Sequence, residues 1–162
     1  MILIICLLGE TMSKIVTVKV YNLDRLIKKF DKLKNPPDLT QPMKRCTLKV
    51  QKEARIYIST VEWTNSKGEQ KIGKVKTGML RRAVQPYVTK EGKDTIGVVY
   101  NNMEYASDVH FGHKIMGGPG RKEVVGMVAP APFLTVGLER SKEYINTTIA
   151  DAIREHNRES IS

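Results

Sequence analysis

In "KIVTVKV", residues 14 to 20, Val16, Val18 and Val20 alternate with Thr17 and Lys19, the two-residue period of a strand with one buried face. The period then changes. Leu23, Leu26, Ile27, Phe30 and Leu33 recur at helical spacing behind Asn22, a capping residue, and "NPP" at 35 to 37 stops the run. A longer helix follows, with Pro42 suited to its first turn and Met43, Cys46, Val50, Ala54, Tyr57, Ile58 and Val61 forming one apolar stripe. Its opposite face carries Lys44, Arg45, Lys49, Lys52 and Arg55, so this helix is amphipathic and basic outside.

Residues 64 to 78 lose all periodicity and gather glycine and lysine, which reads as an exposed loop or loose hairpin. Three strand-like runs come next, at about 80 to 89, 95 to 100 and 105 to 111, divided by turn signals around Gly92 and at Asn101-Asn102. Connections this short dictate antiparallel pairing. Pro86 cannot donate to a ladder, which puts its strand at an edge or a bulge. The third run, "YASDVHFGH", turns Tyr105, Val109 and Phe111 toward the core when read as a strand, with Ala106, Asp108 and His110 on the other face. Residues 113 to 131 form a second irregular stretch, long enough to expect a binding role. Pro132 opens a closing helix to about 157, with Leu134, Leu138, Ile145, Ile149 and Ala152 as its buried stripe. The order predicts an α+β fold: a small antiparallel sheet, made of the N-terminal strand and a three-stranded meander, packed against a long central helix and a C-terminal helix.

The 162 residues suit one domain. "MILIICLL" at the start is apolar but far short of the roughly 20 residues of a bilayer span, and it lacks the positive charge of a signal peptide. Met12 opens a polar start followed by a strand, so residues 1–11 are expected to be a flexible or non-native extension, with 12–162 as the single domain and no membrane partner. Cys6 and Cys46 lie far apart without metal-type spacing, which suits a reducing compartment. The formal net charge is +10, and residues 44 to 82 hold eleven Lys or Arg against three Glu, leaving +8 there. A polyanion is a candidate partner, although only Tyr57 and Trp63 interleave with that charge, fewer aromatics than nucleic-acid readers usually present.

Catalytic motifs fail on their chemistry. "GEQKIGKV" places Gly68, Gly73 and Lys74 as in a phosphate-cradling loop, but Val75 stands where a magnesium-ligating hydroxyl is needed, and no buried strand precedes it. "GGPGRK" at 117 to 122 lacks dinucleotide-loop spacing. Neither cysteine has a histidine nearby, and no nucleophile elbow is present. Asp108 and His110 could form an acid/base pair, and His110 with His113 makes an H-x-x-H spacing. A metal needs three or four ligands, and His156 lies far along the chain. Asp108 and His110 are expected to be surface or interface groups, with no catalytic residue, cofactor or metal.

Three signatures occur in order: "TGMLRRAV" from Thr77, "YASDVHFGH" from Tyr105 and "APFLTVGLE" from Ala131. Together the set resembles the neck and tail-completion (head-tail joining) family of tailed bacteriophages, whose members read approximately T-G-x-L-R-x-S, Y-A-x-x-V-E-F-G-T and A-x-P-F-L-x-P-A-L. The matches are Thr77, Gly78, Leu80 and Arg81; then Tyr105, Ala106, Val109, Phe111 and Gly112; then Pro132, Phe133 and Leu134. The departures are Ala83 for serine, His110 for an acid, His113 for threonine and Gly137 for a small or proline residue. The resemblance implies a structural virion protein and no enzyme. Such a protein forms a homo-oligomeric ring, six-fold or twelve-fold, in the neck between head-closure or adaptor proteins and the tail terminator. It lines part of the channel for double-stranded DNA, which it contacts transiently and non-specifically, and it resides in the host cytoplasm until assembled. Under this reading the loops at 62–76 and 113–131 make inter-subunit or neck-partner contacts. Lys67, Lys71, Lys74, Lys76, Arg82, Arg121 and Lys122 supply charge to the channel or interface. The rival reading is a stand-alone basic nucleic-acid-binding module driven by the charge at 44 to 82.

Overall fold

The structure is a computed structural model that describes residues 15–18, 37–64, 70–72, 78–92, 94–118, 120 and 123–159. The described elements are β1 (Ile15–Val18), α1 (Thr40–Thr60), β2 (Glu62–Thr64), β3 (Gln70–Ile72), α2 (Met79–Arg82), β4 (Val84–Glu91), β5 (Asp94–Asn101), α3 (Ala106–Phe111), β6 (His113–Gly117), β7 (Glu123–Val128) and α4 (Phe133–Glu159). The extension at 1–11 and the helix expected behind Asn22 lie outside the described residues.

Helix α1 starts behind Leu39, which has no capping side chain, so the first N–H is met by Asp38 one residue earlier. Its Oδ1 accepts from the Thr40 backbone N–H at 3.1 Å and from the Thr40 hydroxyl at 2.6 Å, while Lys90 Nζ approaches the same oxygen to 3.1 Å. The Thr40 hydrogen bonds, with help from Lys90, hold this exposed carboxyl at about 2. Along α1 every fourth residue from Pro42 through Cys46, Val50, Ala54 and Ile58 is buried. Met43 and Thr47, one step round the helix, face the sheet: a Cβ built on Gly97 of β5 would lie 2.8 Å from Met43 Sδ and 2.6 Å from Thr47 Cγ2. Glycine at 97 is therefore what lets α1 settle on the central strand.

The sheet has the order β1-β5-β4 with both pairings antiparallel. Gly92, at φ 60°, turns β4 into β5. Pro86 sits opposite Val99 on edge strand β4, where a missing N–H is tolerated, as its sequence position required. Val84 and Val99 join the core under α1, while Ile96 and Val98 are buried on the far face. Burial on both faces explains why 96 to 99 reads as a continuous apolar run rather than an alternating one.

Helix α4 buries Gly137, Ser141, Ile145, Ile149 and Ile153, again every fourth residue. Two four-step ridges thus meet along the helix pair. Contact is closest where small residues coincide, since a Cβ on Gly137 would lie 2.8 Å from the Ala54 backbone nitrogen. The Ser141 hydroxyl is satisfied within its own helix, donating to the Gly137 carbonyl at 2.7 Å. The α+β class is as expected, but the layering differs from a pair of helices laid side by side on a sheet. Helix α1 covers the sheet, and α4 packs along α1. Phe133, Leu134 and Leu138 tie its first turns into the core shared with Val84 and Val99.

Three expectations are corrected. The third meander strand at 105 to 111 is helix α3, and the irregular stretch at 113 to 131 is an antiparallel ribbon, β6 with β7, carrying a bulge at Ile115/Met116. The first meander run is also divided, with α2 preceding β4. Residues 62 to 72 pair β2 with β3, the hairpin alternative for that stretch.

Candidate functional site

The segments that carry the three ordered signatures converge in space. Gly78, at φ 69°, turns the chain into α2 and lets Leu80 enter the core. The Leu80 carbonyl accepts from Asn101 Nδ2 at 2.8 Å, and Asn101 Oδ1 accepts from the Met103 N–H at 3.0 Å, so one buried amide fixes both the end of β5 and the turn that follows. Gln51 and Arg55 reach from α1 to the Val84 carbonyl at 2.7 and 2.9 Å. Arg81 stays exposed with Nη1 3.3 Å from Ser59 Oγ, and Arg82 is exposed beside it.

In the second signature Ala106 and His110 are buried one helical turn apart, and Val109 is half-buried between them. The Ala131 N–H donates to the Val109 carbonyl at 2.8 Å, joining the second signature to the third. The His110 ring meets Phe111 edge-on at 4.6 Å and Phe133 at 5.2 Å, and its Nε2 lies 3.3 Å from the Thr135 hydroxyl. Gly112, at φ 71°, then leaves α3 for β6; any side chain there would strike the carbonyl of Val128. Pro132, half-buried, precedes the first turn of α4 and accepts from the Val136 N–H at 2.9 Å. Leu80, Val84, Ala106, Phe133 and Leu134 share one apolar cluster.

Asp108, His110 and His113 are not gathered into a site. On a helix, residues 108 and 110 point in nearly opposite directions: Asp108 is exposed, and His110 is buried. Only the Asp108 backbone carbonyl approaches His113, at 3.4 Å from Nδ1. Burial pulls the His110 pKa below its ordinary value, and its Nδ1 is buried with no hydrogen-bond partner among the described residues. No group of three or more His, Cys, Asp or Glu able to hold a metal occurs among the described residues. The strand reading also fails for Tyr105 and Phe111, placed in the core by alternation but 40% and 47% exposed.

The β6–β7 ribbon stands off this joint. Its two strands pair with each other and make no more than marginal contact with any other described element. It exposes Met116, Val124, Val125 at 62% and Met127 at 74%. These residues were missed in the sequence because the stretch was read as irregular; the available signal was an apolar run on each side of "GGPG", a hairpin pattern. Of the charge candidates, Lys67, Lys74, Lys76, Arg121 and Lys122 lie outside the described residues, as does Thr77, and Lys71 is described only as a strand position of β3. No described helix is long and apolar enough to cross a membrane. Comparison with protein-family models, curated proteins and solved structures returns no match.

Proposed function

We propose that the chain is a non-enzymatic structural subunit that assembles into a homo-oligomeric ring in the neck of a tailed virion, between head-closure proteins and the tail terminator. The exposed ribbon carries this reading. A two-stranded ribbon is marginal alone in water, and large apolar side chains displayed on one mark a surface that a partner covers. A ring needs a heterologous contact, in which a projecting element of one subunit reaches a different surface of the next. The joint of the three signatures supplies a rigid base for such an arm, with Gly112 as its exit. The basic residues then face double-stranded DNA only transiently, through sequence-independent attraction to phosphate.

Sedimentation velocity and negative-stain microscopy of the full chain over a concentration series test the reading. Annular particles of six or twelve copies are expected, and Val125→Asp with Met127→Asp should leave a folded monomer. A chain that stays monomeric at every concentration would contradict it. The rival, a stand-alone nucleic-acid-binding module, draws support from the exposed cations Lys44, Arg45, Lys52, Arg81 and Arg82. Tight binding of short DNA duplexes by the monomer, falling steeply with salt, would favour that rival.

A further inference from the structure

The two helices that pack together each turn a second four-step ridge outward. On α1 this ridge is Lys44, Leu48, Lys52, Ile56 and Thr60, offset by two residues, about half a turn, from the buried ridge Pro42, Cys46, Val50, Ala54 and Ile58. All five outward residues are exposed, Leu48 at 54% and Ile56 at 39%. On α4 the outward ridge is Glu139, Glu143, Thr147, Asp151 and Glu155, offset in the same way from Gly137, Ser141, Ile145, Ile149 and Ile153, and again all are exposed. Because the buried ridges meet at Ala54 and Gly137, the outward ridges face away from each other. One is cationic and apolar, and the other is anionic.

We infer that the outward face of α1 docks on the outward ridge of α4 in a second copy of this chain, so that helix pairs stack head to tail around the ring. This rests on the homo-oligomeric reading and names the surfaces that would join. Charge complementarity selects the occupant. Copies carrying a net charge of +10 repel one another, and the α4 ridge carries four carboxylates with no Lys or Arg on the ridge itself. The cations beside it, Lys142 at 4.0 Å from Glu139 and Arg154 at 2.9 Å from Asp151, are exposed pairs that solvent weakens. Spacing agrees as well: Lys44 and Lys52 are eight residues apart, about 12 Å along the axis, as are Glu143 and Asp151. Leu48 falls midway between the lysines and would be covered against Thr147 and the neighbouring Tyr144, itself 40% exposed. A contact using two different faces leaves each copy with one free face of each kind, which is the condition for a ring.

Charge exchange tests this on the full chain. Lys44→Glu with Lys52→Glu makes both outward faces acidic; Glu139→Lys with Glu143→Lys and Asp151→Lys leaves only Glu155 acidic on the α4 ridge and makes both faces basic. Each variant alone should remain monomeric at a concentration where the wild type assembles. An equimolar mixture should assemble again, because acidic α1 meets basic α4 and basic α1 meets acidic α4 in alternation. Circular dichroism verifies folding, and the milder Leu48→Gln should weaken self-association about tenfold without altering net charge. Variants that assemble alone as well as wild type, or a mixture that fails to recover assembly, overturn the inference and leave the ring reading standing. A wild-type chain that never self-associates overturns both.

Discussion

Gly137→Ala is the most demanding test of how the two long helices meet. Alanine is ordinarily preferred to glycine inside a helix by about 1 kcal/mol, so on an open surface this change would stabilise the protein. Here the added Cβ would lie 2.8 Å from the Ala54 nitrogen, 2.9 Å from its Cβ and 3.0 Å from its Cα. Two of those three atoms are backbone, which cannot rotate away, so the helices must separate or shift. Overpacking of this kind costs about 1 to 3 kcal/mol, and contact with backbone puts the cost near the upper end. Setting about 3 against the propensity gain of about 1 leaves a net loss of about 2 kcal/mol. For a chain of this length that lowers Tm by about 4 to 8 °C. Urea denaturation monitored by helical circular dichroism measures the free energy directly. Adding Ala54→Gly removes the Cβ contact but leaves the backbone atoms, so it should recover only part of the loss. Gly126→Ala is the control: its nearest neighbour would be the flexible Ile115 side chain at 3.4 Å, and its effect should stay within about 0.5 kcal/mol. A Gly137→Ala protein as stable as wild type, or more so, would refute the close α1–α4 contact.

Asn101→Ala should cost about 2 to 4 kcal/mol in the same denaturation assay, because it strips partners from both the Leu80 carbonyl and the Met103 N–H; a loss under about 0.5 kcal/mol would show that water replaces the amide. His110 is held below its ordinary value of 6.5, so its unfolded form binds protons more readily. Its contribution to stability is therefore complete above about 6.5 and lost as the pH falls through the folded pKa, and His110→Gln should flatten the stability profile there. Asp38, held at about 2 against an ordinary 3.8, contributes above 3.8 and loses that contribution toward 2. Burial pushes the Cys46 thiol up to about 11, outweighing the nearby Arg45; in a Cys6→Ser background thiol labelling at pH 8 should report global unfolding, and rapid labelling under native conditions would count against the buried placement.

Where one face of an element is buried and the other wet, its period was legible in the sequence. The α1 and α4 stripes and the edge position of Pro86 are of that kind. The segment at 105 to 111 misled because it satisfies two periods at once. Tyr105, Val109 and Phe111 alternate as in a strand, whereas Ala106, Val109 and His110 recur as in a helix. What decides between them is Asn101, whose side chain binds the Met103 N–H and starts a turn continued by the Ala106 N–H on the Met103 carbonyl. Propensity does not register a side-chain hydrogen bond of that sort. The ribbon at 113 to 128 was hidden for a different reason: Met116, Val124, Val125 and Met127 are exposed, and only Ile115 and Val128 among its apolar residues are half-buried, so apolar character does not mark a buried face. The outward ridge of α1 was read as simply basic, because Leu48 and Ile56 alternate with lysine and fall outside the apolar stripe.

The same lysines cannot serve a neighbouring subunit and DNA together, and this separates roles that composition alone would merge. If Lys44 and Lys52 are covered by the α4 ridge of the next copy, the exposed cations of α1 and α2 left for DNA are Arg45, Arg81 and Arg82. The assembled ring should then bind duplex DNA with a shallower salt dependence per chain than a monomeric Glu143→Gln, Asp151→Asn variant, by about 0.9 in the logarithmic slope for each phosphate contact withdrawn. Fluorescence anisotropy with a short duplex across a salt series measures both slopes. Equal slopes for ring and monomer would mean that α1 keeps its cations facing solvent in the assembly, and the helix-to-helix contact between copies would have to be abandoned. Under the proposed ring, a shallower slope would also account for passage of DNA through a chain this basic, since assembly itself would remove part of the charge that otherwise holds the duplex.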